Sequence, residues 1–360
     1  MYKKTKGEKR MKKYFLLFVS IFLVFSLLVA CSQSSTNEAE GGDEGGGDDG
    51  GKKRFAIVFK NTGNPYGEKQ MEGFKNAIEE LGHEAILKAP DQPTAEAQIQ
   101  MIEELISQKV DSIAIVGNDP DALQPALKKA MDQGIKVLSL DSAVNAASRM
   151  VHVNQADPER IGRIQIEAIS EMIGGKGQIA VLSATSQATN QNTWIEWMKE
   201  ELKDPKYKDI ELVKVAYGDD LRDKSVSETE ALLQSYPELK GIIAPTTVGI
   251  AAAGKVLTDK GLKDKVHLTG LGLPSEMAEY IESGVCDWMY LWNPLDVGYL
   301  AGYAADSLVS GTITGKVGDK FTAGDLGEKE VVEDGEGTQI MLGDPFKFDP
   351  SNIAEWKEIY

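Results

Sequence analysis

Amide, hydroxyl and indole side chains are concentrated in one stretch, ATSQATNQNTWIEW, which begins at Ala184. It directly follows QIAVLS, an apolar run with the length and bounds of a buried strand. Amides and hydroxyls hydrogen-bond to neutral polar molecules, and an indole face packs against the C–H surface of a ring. The stretch therefore indicates a binding site for a neutral, hydroxyl-rich small molecule.

Similar polar or aromatic residues end or follow several other predicted strands. Carboxyl ends of parallel strands meet at one edge of a sheet, and ligands of open α/β sheets bind there. If two such sheets face each other, all these side chains share one cleft of the kind that encloses small ligands. The candidates named on this basis are Lys60, Asn61, Asn64, Tyr66, Asp141, Asn190, Trp194, Pro245, Thr247 and Trp292.

Several candidates also have an ordinary structural explanation. Asn64 precedes a proline and is consistent with a turn, while Asn190 and Thr247 are consistent with helix caps. Asp119 is predicted to cap a helix and Trp197 to pack in the core.

The elements that must position these residues begin at Arg54. Short apolar segments alternate with amphipathic segments, which predicts parallel strands covered by helices on both faces. About ten such strands over about 300 residues exceed one typical domain. We therefore expect an α/β fold of two doubly wound parallel-sheet lobes. Only a short polar loop separates Asp141 from the strand MVHVN, so the chain is expected to enter the second sheet there.

The N-terminus carries export signals. A basic start and an apolar run to Ala30 predict a signal peptide over residues 1–30, and LVAC resembles a bacterial lipobox that would lipidate Cys31. An uncleaved membrane anchor is the alternative. Residues 31–53 are predicted to form the lipidated Cys and a flexible acidic Gly/Ser linker. Either reading places the folded part outside the cell.

Composition excludes some functions. The chain carries a net charge of −17, and residues 1–30 carry seven basic and one acidic residue, so the exported part carries −23. Nucleic-acid binding is not expected from such an acidic surface. The chain contains no P-loop, no G-x-S-x-G and no H-E-x-x-H, so the sequence predicts neither an enzyme nor a cofactor or metal. Cys286 is expected to be a small buried apolar residue without a disulfide.

With these observations the chain resembles the type I periplasmic-type sugar-binding lipoproteins of ABC importers. The lipobox, FKNTGNPYG, SLDS and the two α/β halves are similar to the ribose-binding group. Within it, TNQNTWIEWMKEEL, IIAPTTVGIAAA and LWNPLDVGYLAGYAA resemble the rhamnose-binding and autoinducer-2-binding branch.

The resemblance implies a fold and a mechanism. Two lobes joined by three crossovers would close on a ligand and deliver it to an ABC permease without chemistry. By this analogy lobe 1 comprises residues 54–145 plus 293–320, and lobe 2 comprises residues 146–292 plus 321–360. We expect a monomer, tethered by its lipid to the outer face of the cell membrane.

The resemblance also suggests the ligand. The positions that match autoinducer-2 contacts are Lys60, Asp141, Asn190, Gln191, Pro245 and Thr247. Asn190 stands where an acid is expected, and Thr247 replaces a small apolar residue, which favours a neutral deoxy sugar such as L-rhamnose. The apolar Leu273 is expected to meet its methyl group. Autoinducer-2 import and presentation of a ligand to a membrane sensor are the alternatives.

Overall fold

A computed structural model describes residues 51–360 of the chain, and the predicted signal peptide, Cys31 and most of the predicted linker lie outside this part. The strands are β1 (Arg54–Val58), β2 (Glu84–Lys88), β3 (Ser112–Ile115), β4 (Lys136–Leu140), β5 (His152–Asn154), β6 (Gly177–Ser183), β7 (Ile210–Tyr217), β8 (Leu239–Ala244), β9 (His267–Gly270), β10 (Met289–Leu291), β11 (Lys320–Thr322), β12 (Glu328–Glu330), β13 (Val332–Asp334), β14 (Gly337–Met341) and β15 (Phe346–Phe348). The α-helices are α1 (Pro65–Glu80), α2 (Ala95–Ser107), α3 (Pro120–Asp132), α4 (Pro158–Met172), α5 (Thr189–Glu201), α6 (Arg222–Ser235), α7 (Thr247–Asp259), α8 (Pro274–Glu282), α9 (Pro294–Ser310) and α10 (Ile353–Trp356).

Two sheets define two lobes. The sheet of lobe 1 has the order β13-β14-β5-β4-β3-β1-β2, and every pair in it is parallel except β13 with β14. The sheet of lobe 2 has the order β7-β6-β8-β9 and is wholly parallel. β1, β3 and β4 are almost completely buried, because helices cover both faces of the sheet. The predicted fold of two doubly wound parallel lobes is confirmed.

The chain passes between the lobes three times. It leaves lobe 1 between β5 and α4, returns between β10 and α9, and leaves again between β14 and β15, which pairs with β10. Lobe 1 is therefore assembled from two separate parts of the sequence. Lobe 2 likewise combines the middle of the chain with its C-terminus.

The expected lobe boundaries at residues 146 and 321 differ from this topology. The sequence predicts β5 in the second sheet, whereas it pairs parallel with β4 in lobe 1. β5 pairs only with Ser139 and Leu140, at the end of β4. The connection over residues 141–151 therefore does not have to run back along the whole length of β4, and a single 3₁₀ turn at Ala146–Ser148 is enough. β13 and β14 also belong to lobe 1, because β14 extends its sheet beside β5.

Glycines allow one unusually close helix pair, α1 with α9. A Cβ atom at Gly73 would lie 1.9 Å from the Leu295 carbonyl oxygen, and one at Gly298 would lie 1.9 Å from the Gln70 carbonyl oxygen. Each helix therefore supplies a glycine where the backbone of the other approaches. This contact fixes the returning chain against lobe 1, directly behind Trp292.

Candidate functional site

A cavity lies between the two lobes. Its wall is built from the carboxyl ends of strands in both sheets, the first turns of helices that follow them, and the end of β10. Ligands of open α/β sheets bind at such strand ends. The lining residues are Phe59, Lys60, Asn64, Tyr66, Val116, Asp141, Asn190, Gln191, Trp194, Asp220, Pro245, Thr246, Thr247, Leu271, Leu291 and Trp292.

The start of α1 explains how lobe 1 presents an aromatic ring to this cavity. The Asn64 side-chain oxygen accepts hydrogen bonds from the backbone N–H groups of Tyr66 and Gly67, and Pro65 occupies the first helical position. Both features favour helix initiation. The helix thus begins at the cavity, and Tyr66 lies in its first turn. Asn64 is both the cap and a lining residue.

Asp141 is the central carboxylate. It follows β4 in a left-handed conformation, with φ at 60°, which is uncommon for a residue other than glycine. One carboxylate oxygen accepts a hydrogen bond from Gln70 Nε2 at 2.8 Å, and the other accepts one from Asn190 Nδ2 at 2.5 Å. Because Asn190 belongs to lobe 2, this second bond joins the lobes. Backbone strain of this kind concentrates at functional sites.

An aromatic network surrounds Asp141. Trp292 Nε1 donates to the Tyr66 hydroxyl at 2.7 Å, and Gln70 Nε2 donates to it at 3.0 Å. Burial raises the pKa of Tyr66 well above its usual value, and the charge of Asp141 raises it further, so the hydroxyl keeps its proton. The rings of Trp194 and Trp292 meet edge-on at 5.8 Å. Trp292 lies at the second crossover and contacts both lobes.

A second carboxylate, Asp220, faces the cavity from lobe 2 after β7. Burial raises its pKa, whereas the charge of Lys60 and a hydrogen bond from the Thr246 hydroxyl act in the opposite direction. Lys60 is itself only 6 % exposed and offers up to three N–H donors. The site therefore combines one buried cation with two buried carboxylates.

The Gln191 amide has a defined orientation. Its carbonyl oxygen accepts from the Ser183 hydroxyl and from the Ala184 backbone N–H, both at 2.7 Å. The amide N–H groups are then its remaining donors. With Lys60 as a further donor and the carboxylates as acceptors, the cavity matches a ligand whose hydroxyls both donate and accept.

The structure brings together ten of the twelve predicted site residues, and the other two lie elsewhere. Asn61 is buried but bonds to the neighbouring Thr62 carbonyl. Leu273 precedes α8 and is buried in the core, at 1 % exposure. The expected contact from Leu273 is therefore wrong, and Leu271, two residues earlier, lines the cavity instead.

Residues that sequence reasoning missed include Asp220, Thr246 and Leu291. The sequence pattern could have indicated Asp220, because this residue follows a predicted strand, as Asp141 does. Asp119 caps α3 as expected. Thr246, rather than Thr247, occupies the cap position of α7, and its hydroxyl bonds to Asp220 instead of to the helix.

In residues 51–360, no group of His, Cys, Asp and Glu has an arrangement suited to a metal ion. None of the helices in that range is both long and apolar enough to cross a membrane.

Comparison with known proteins shows the family. The chain belongs to the periplasmic binding protein domain family, whose model matches residues 55–313. An ABC transporter solute-binding protein from Clostridium phytofermentas, solved with bound L-rhamnose, is 52% identical with a TM-score of 0.85, and the alignment covers 86% of this chain and 99% of that one. LsrB from Clostridium saccharobutylicum, solved with AI-2, is 23% identical with a TM-score of 0.79, covering 84% and 99%.

A curated relative is more distant. The D-apiose import binding protein of Actinobacillus succinogenes is 24% identical over 211 residues, which are 59% of this chain and 67% of that protein. The family is one of extracytoplasmic binding proteins. The predicted resemblance, and the prediction that the chain binds its ligand without being an enzyme, are confirmed.

Proposed function

We propose that the protein is the sugar-binding component of an ABC importer and that its ligand is L-rhamnose or a similar deoxy sugar. The observation that carries this proposal is the 52% identity to a protein solved with L-rhamnose. The cavity adds independent support, since its polar and aromatic lining suits a small hydroxyl-rich ring.

Each part of a deoxy sugar has a matching group. Asp141 and Asp220 accept hydrogen bonds from ring hydroxyls, and Lys60 and Gln191 donate to their oxygens. Carboxylate and ammonium hydrogen bonds are the stronger ones and set orientation. The apolar side of the ring packs on the indoles, and the methyl group meets Leu271.

Closure of the lobes is the mechanism. A ligand that touches both lobes binds the closed state better than the open state and shifts the equilibrium toward it. Asp141 and Asn190 already bond across the lobes at 2.5 Å, so a sugar hydroxyl between them would bond to both lobes at once. The closed form is then the one recognised by the permease.

Autoinducer-2 is the alternative ligand. Lys60, Asp141, Gln191 and Pro245 agree with the pattern implied for autoinducer-2 binders, and all four line the cavity. The amide of Asn190 and the hydroxyl of Thr247 depart from it. Import by a permease and presentation to a membrane sensor both use the closed form.

The location follows from the N-terminus. We propose that Cys31 is lipidated and that residues 32–53 tether a monomer to the outer face of the cell membrane. The tether would keep the local concentration at the permease high.

Calorimetric titration tests the ligand. The chain from Lys52 onward, which contains every element of the fold, is unfolded and refolded to remove carried-over ligand and is then titrated with L-rhamnose, autoinducer-2 and ribose. We expect one-to-one binding of rhamnose in the micromolar range, about −8 kcal/mol. Asp141→Ala should weaken it at least about 100-fold, since it removes a buried charged acceptor. Heat with autoinducer-2 but none with rhamnose would replace the proposed ligand.

A further inference from the structure

A second cavity lies beside the first between the lobes. Its walls come from the ends of β4 and β5, the start of α4, the first turns of α5 and the end of β13. The residues that line it are Asp141, Ala143, His152, Asn154, Pro158, Thr189, Asn190, Thr193, Trp194 and Asp334. The sugar-binding role proposed above uses only three of them.

Those three residues form a shared wall. Asp141, Asn190 and Trp194 line both cavities, and the hydrogen bond from Asn190 Nδ2 to Asp141 spans the boundary. A ligand hydroxyl placed between Asp141 and Asn190 would take over this bond and separate the two side chains. The two cavities would then be continuous at the edge of the bound sugar.

Away from the wall that it shares with the first cavity, the lining of the second cavity is polar and its charges are locally neutralised. Asp334 is paired with the buried Arg149 at 3.0 Å, and His152 Nδ1 lies 2.9 Å from the Ser139 hydroxyl. Burial and the charge of Arg149 lower the pKa of His152 well below its usual value, so the ring is neutral. With amide and hydroxyl groups of Asn154 and Thr193 nearby, the surroundings suit hydroxyls better than ionic groups.

One side of the second cavity is closed and the other is open. The Thr189 hydroxyl donates to the Ala143 carbonyl at 2.9 Å and lies 3.1 Å from the Ser142 hydroxyl, which seals the contact between the lobes there. Thr193, one turn further along α5, is exposed. A group that extends from the sugar can therefore reach solvent without holding the lobes apart.

We propose that the second cavity is a subsite for a group joined to the bound sugar, so that the protein takes glycosides of the deoxy sugar, such as a rhamnosyl disaccharide, as well as the free sugar. This inference rests on the proposed function. It extends the ligand class from monosaccharides to short saccharides whose second unit leaves the cleft beside Thr193.

Titration with two sugars tests the subsite. L-Rhamnose and the disaccharide rutinose, 6-O-α-L-rhamnosyl-D-glucose, are titrated separately into three forms of the chain from Lys52 onward: the natural sequence, Thr193→Trp and Glu196→Trp. Thr193→Trp fills the opening, whereas Glu196 is exposed on the same helix and lines neither cavity. Free rhamnose reports whether each variant is folded.

We expect rutinose to bind the natural chain within about tenfold of rhamnose. Thr193→Trp should weaken rutinose at least about tenfold, or 1.4 kcal/mol, while its affinity for rhamnose changes less than about twofold. Glu196→Trp should alter neither. Rhamnose binding without rutinose binding, or equal effects of the two Trp variants, would overturn the subsite while leaving the proposed function intact. Silence with both sugars would overturn both proposals.

Discussion

Asp141 and Asp220 face the same cavity but are held in different ways. Asp141 has amide donors on both carboxylate oxygens, from Gln70 and Asn190. Asp220 accepts a hydrogen bond from the Thr246 hydroxyl and is stabilised by the charge of Lys60. These two interactions do not fully offset the cost of burying its charge, since its pKa remains above the usual value. A raised pKa means that the ionised carboxylate destabilises the folded state near neutral pH. Asp220 is thus a group whose charge serves binding at the expense of stability.

Asp220→Asn should separate these two effects. The amide keeps an oxygen that can accept from Thr246 but has no charge to desolvate, so we expect a higher melting temperature at pH 7. Sugar affinity should fall about 10- to 100-fold, because a charged acceptor for a hydroxyl is lost. Thermal unfolding and calorimetric titration of the same sample measure both quantities.

The neighbouring Asp219 provides the matched control. Asp219 has a positive φ, of 55°, but its carboxylate pairs with Lys224 near the surface and does not line the cavity. Asp219→Asn is expected to change affinity less than about twofold. A similar loss in both variants would mean that the loop conformation, and not the Asp220 charge, controls binding.

At this scale, most of the residues predicted for the site line the cavity, for a simple reason. Residues such as Lys60 and Asp141 follow largely buried parallel strands, and parallel topology brings the carboxyl ends of such strands together. The prediction for Leu273 differs from the structure because the conformation of the loop after a strand cannot be inferred from hydrophobic periodicity. Leu271 directly follows β9 and lines the cavity, whereas Leu273, two residues further on, is buried in the core.

At the scale of elements, the packing of α1 against α9 connects the crossover to the site. Gln70 is on the face of α1 that meets Gly298, and its side chain bonds to both Tyr66 and Asp141. Trp292, just before α9, bonds to the same Tyr66 hydroxyl. The distance between these two helices therefore sets the position of the central carboxylate.

Gly298→Ala tests this packing. The added Cβ would meet the Gln70 carbonyl oxygen at 1.9 Å, and a backbone atom cannot move aside as a flexible side chain can. We expect the free energy of unfolding to fall by about 3 kcal/mol, at the upper end of the usual cost of overpacking. Chemical denaturation of the purified protein measures it.

Gly254→Ala is the control within another helix, α7. The nearest atoms to its Cβ belong to the Tyr280 ring, at 2.9 Å, and that side chain can shift. Alanine also has a helix propensity about 1 kcal/mol better than glycine. The change in unfolding free energy should be small, and an equal loss in both variants would contradict the backbone-contact explanation.

The order of helices and strands could be predicted from the sequence, whereas the pairing of the short strands could not. Alternating apolar and amphipathic segments predicted the helices and strands through β10 because their periodicities are distinct. Short strands such as β5 and β14 do not carry their pairing in their pattern. Their assignment depends on how far the chain must travel between strands, which only three-dimensional structure specifies.

At the scale of the whole molecule, three crossovers define the hinge about which the lobes move. Trp292 lies at one of these crossovers. Asp141 and Asn190 lie on opposite sides of the cleft and form a hydrogen bond across it. In the proposed mechanism, a ligand that contacts both of these side chains would favour the closed arrangement of the lobes.

The proposed lipid anchor predicts where the molecule is found. Cys31→Ser should remove the lipid attachment site and shift the full-length protein from the membrane fraction to the medium of a bacterium without an outer membrane. Cell fractionation with immunodetection measures the distribution. Cys286→Ser is the control, since this thiol is buried in lobe 2, and it should leave the protein in the membrane fraction. Membrane retention of the Cys31→Ser form would instead support an uncleaved anchor.

The discontinuous lobes have a consequence for how the chain acquires its structure. Lobe 1 needs α9 to cover α1 and β14 to cover β5, yet these partners lie more than 180 residues further along the chain. Contacts between such distant segments form late, since a long loop must close first. A polypeptide that crosses a membrane N-terminus first cannot complete its first lobe until almost its last residues have emerged. The same connectivity that makes the hinge therefore delays completion of lobe 1 until the end of that passage.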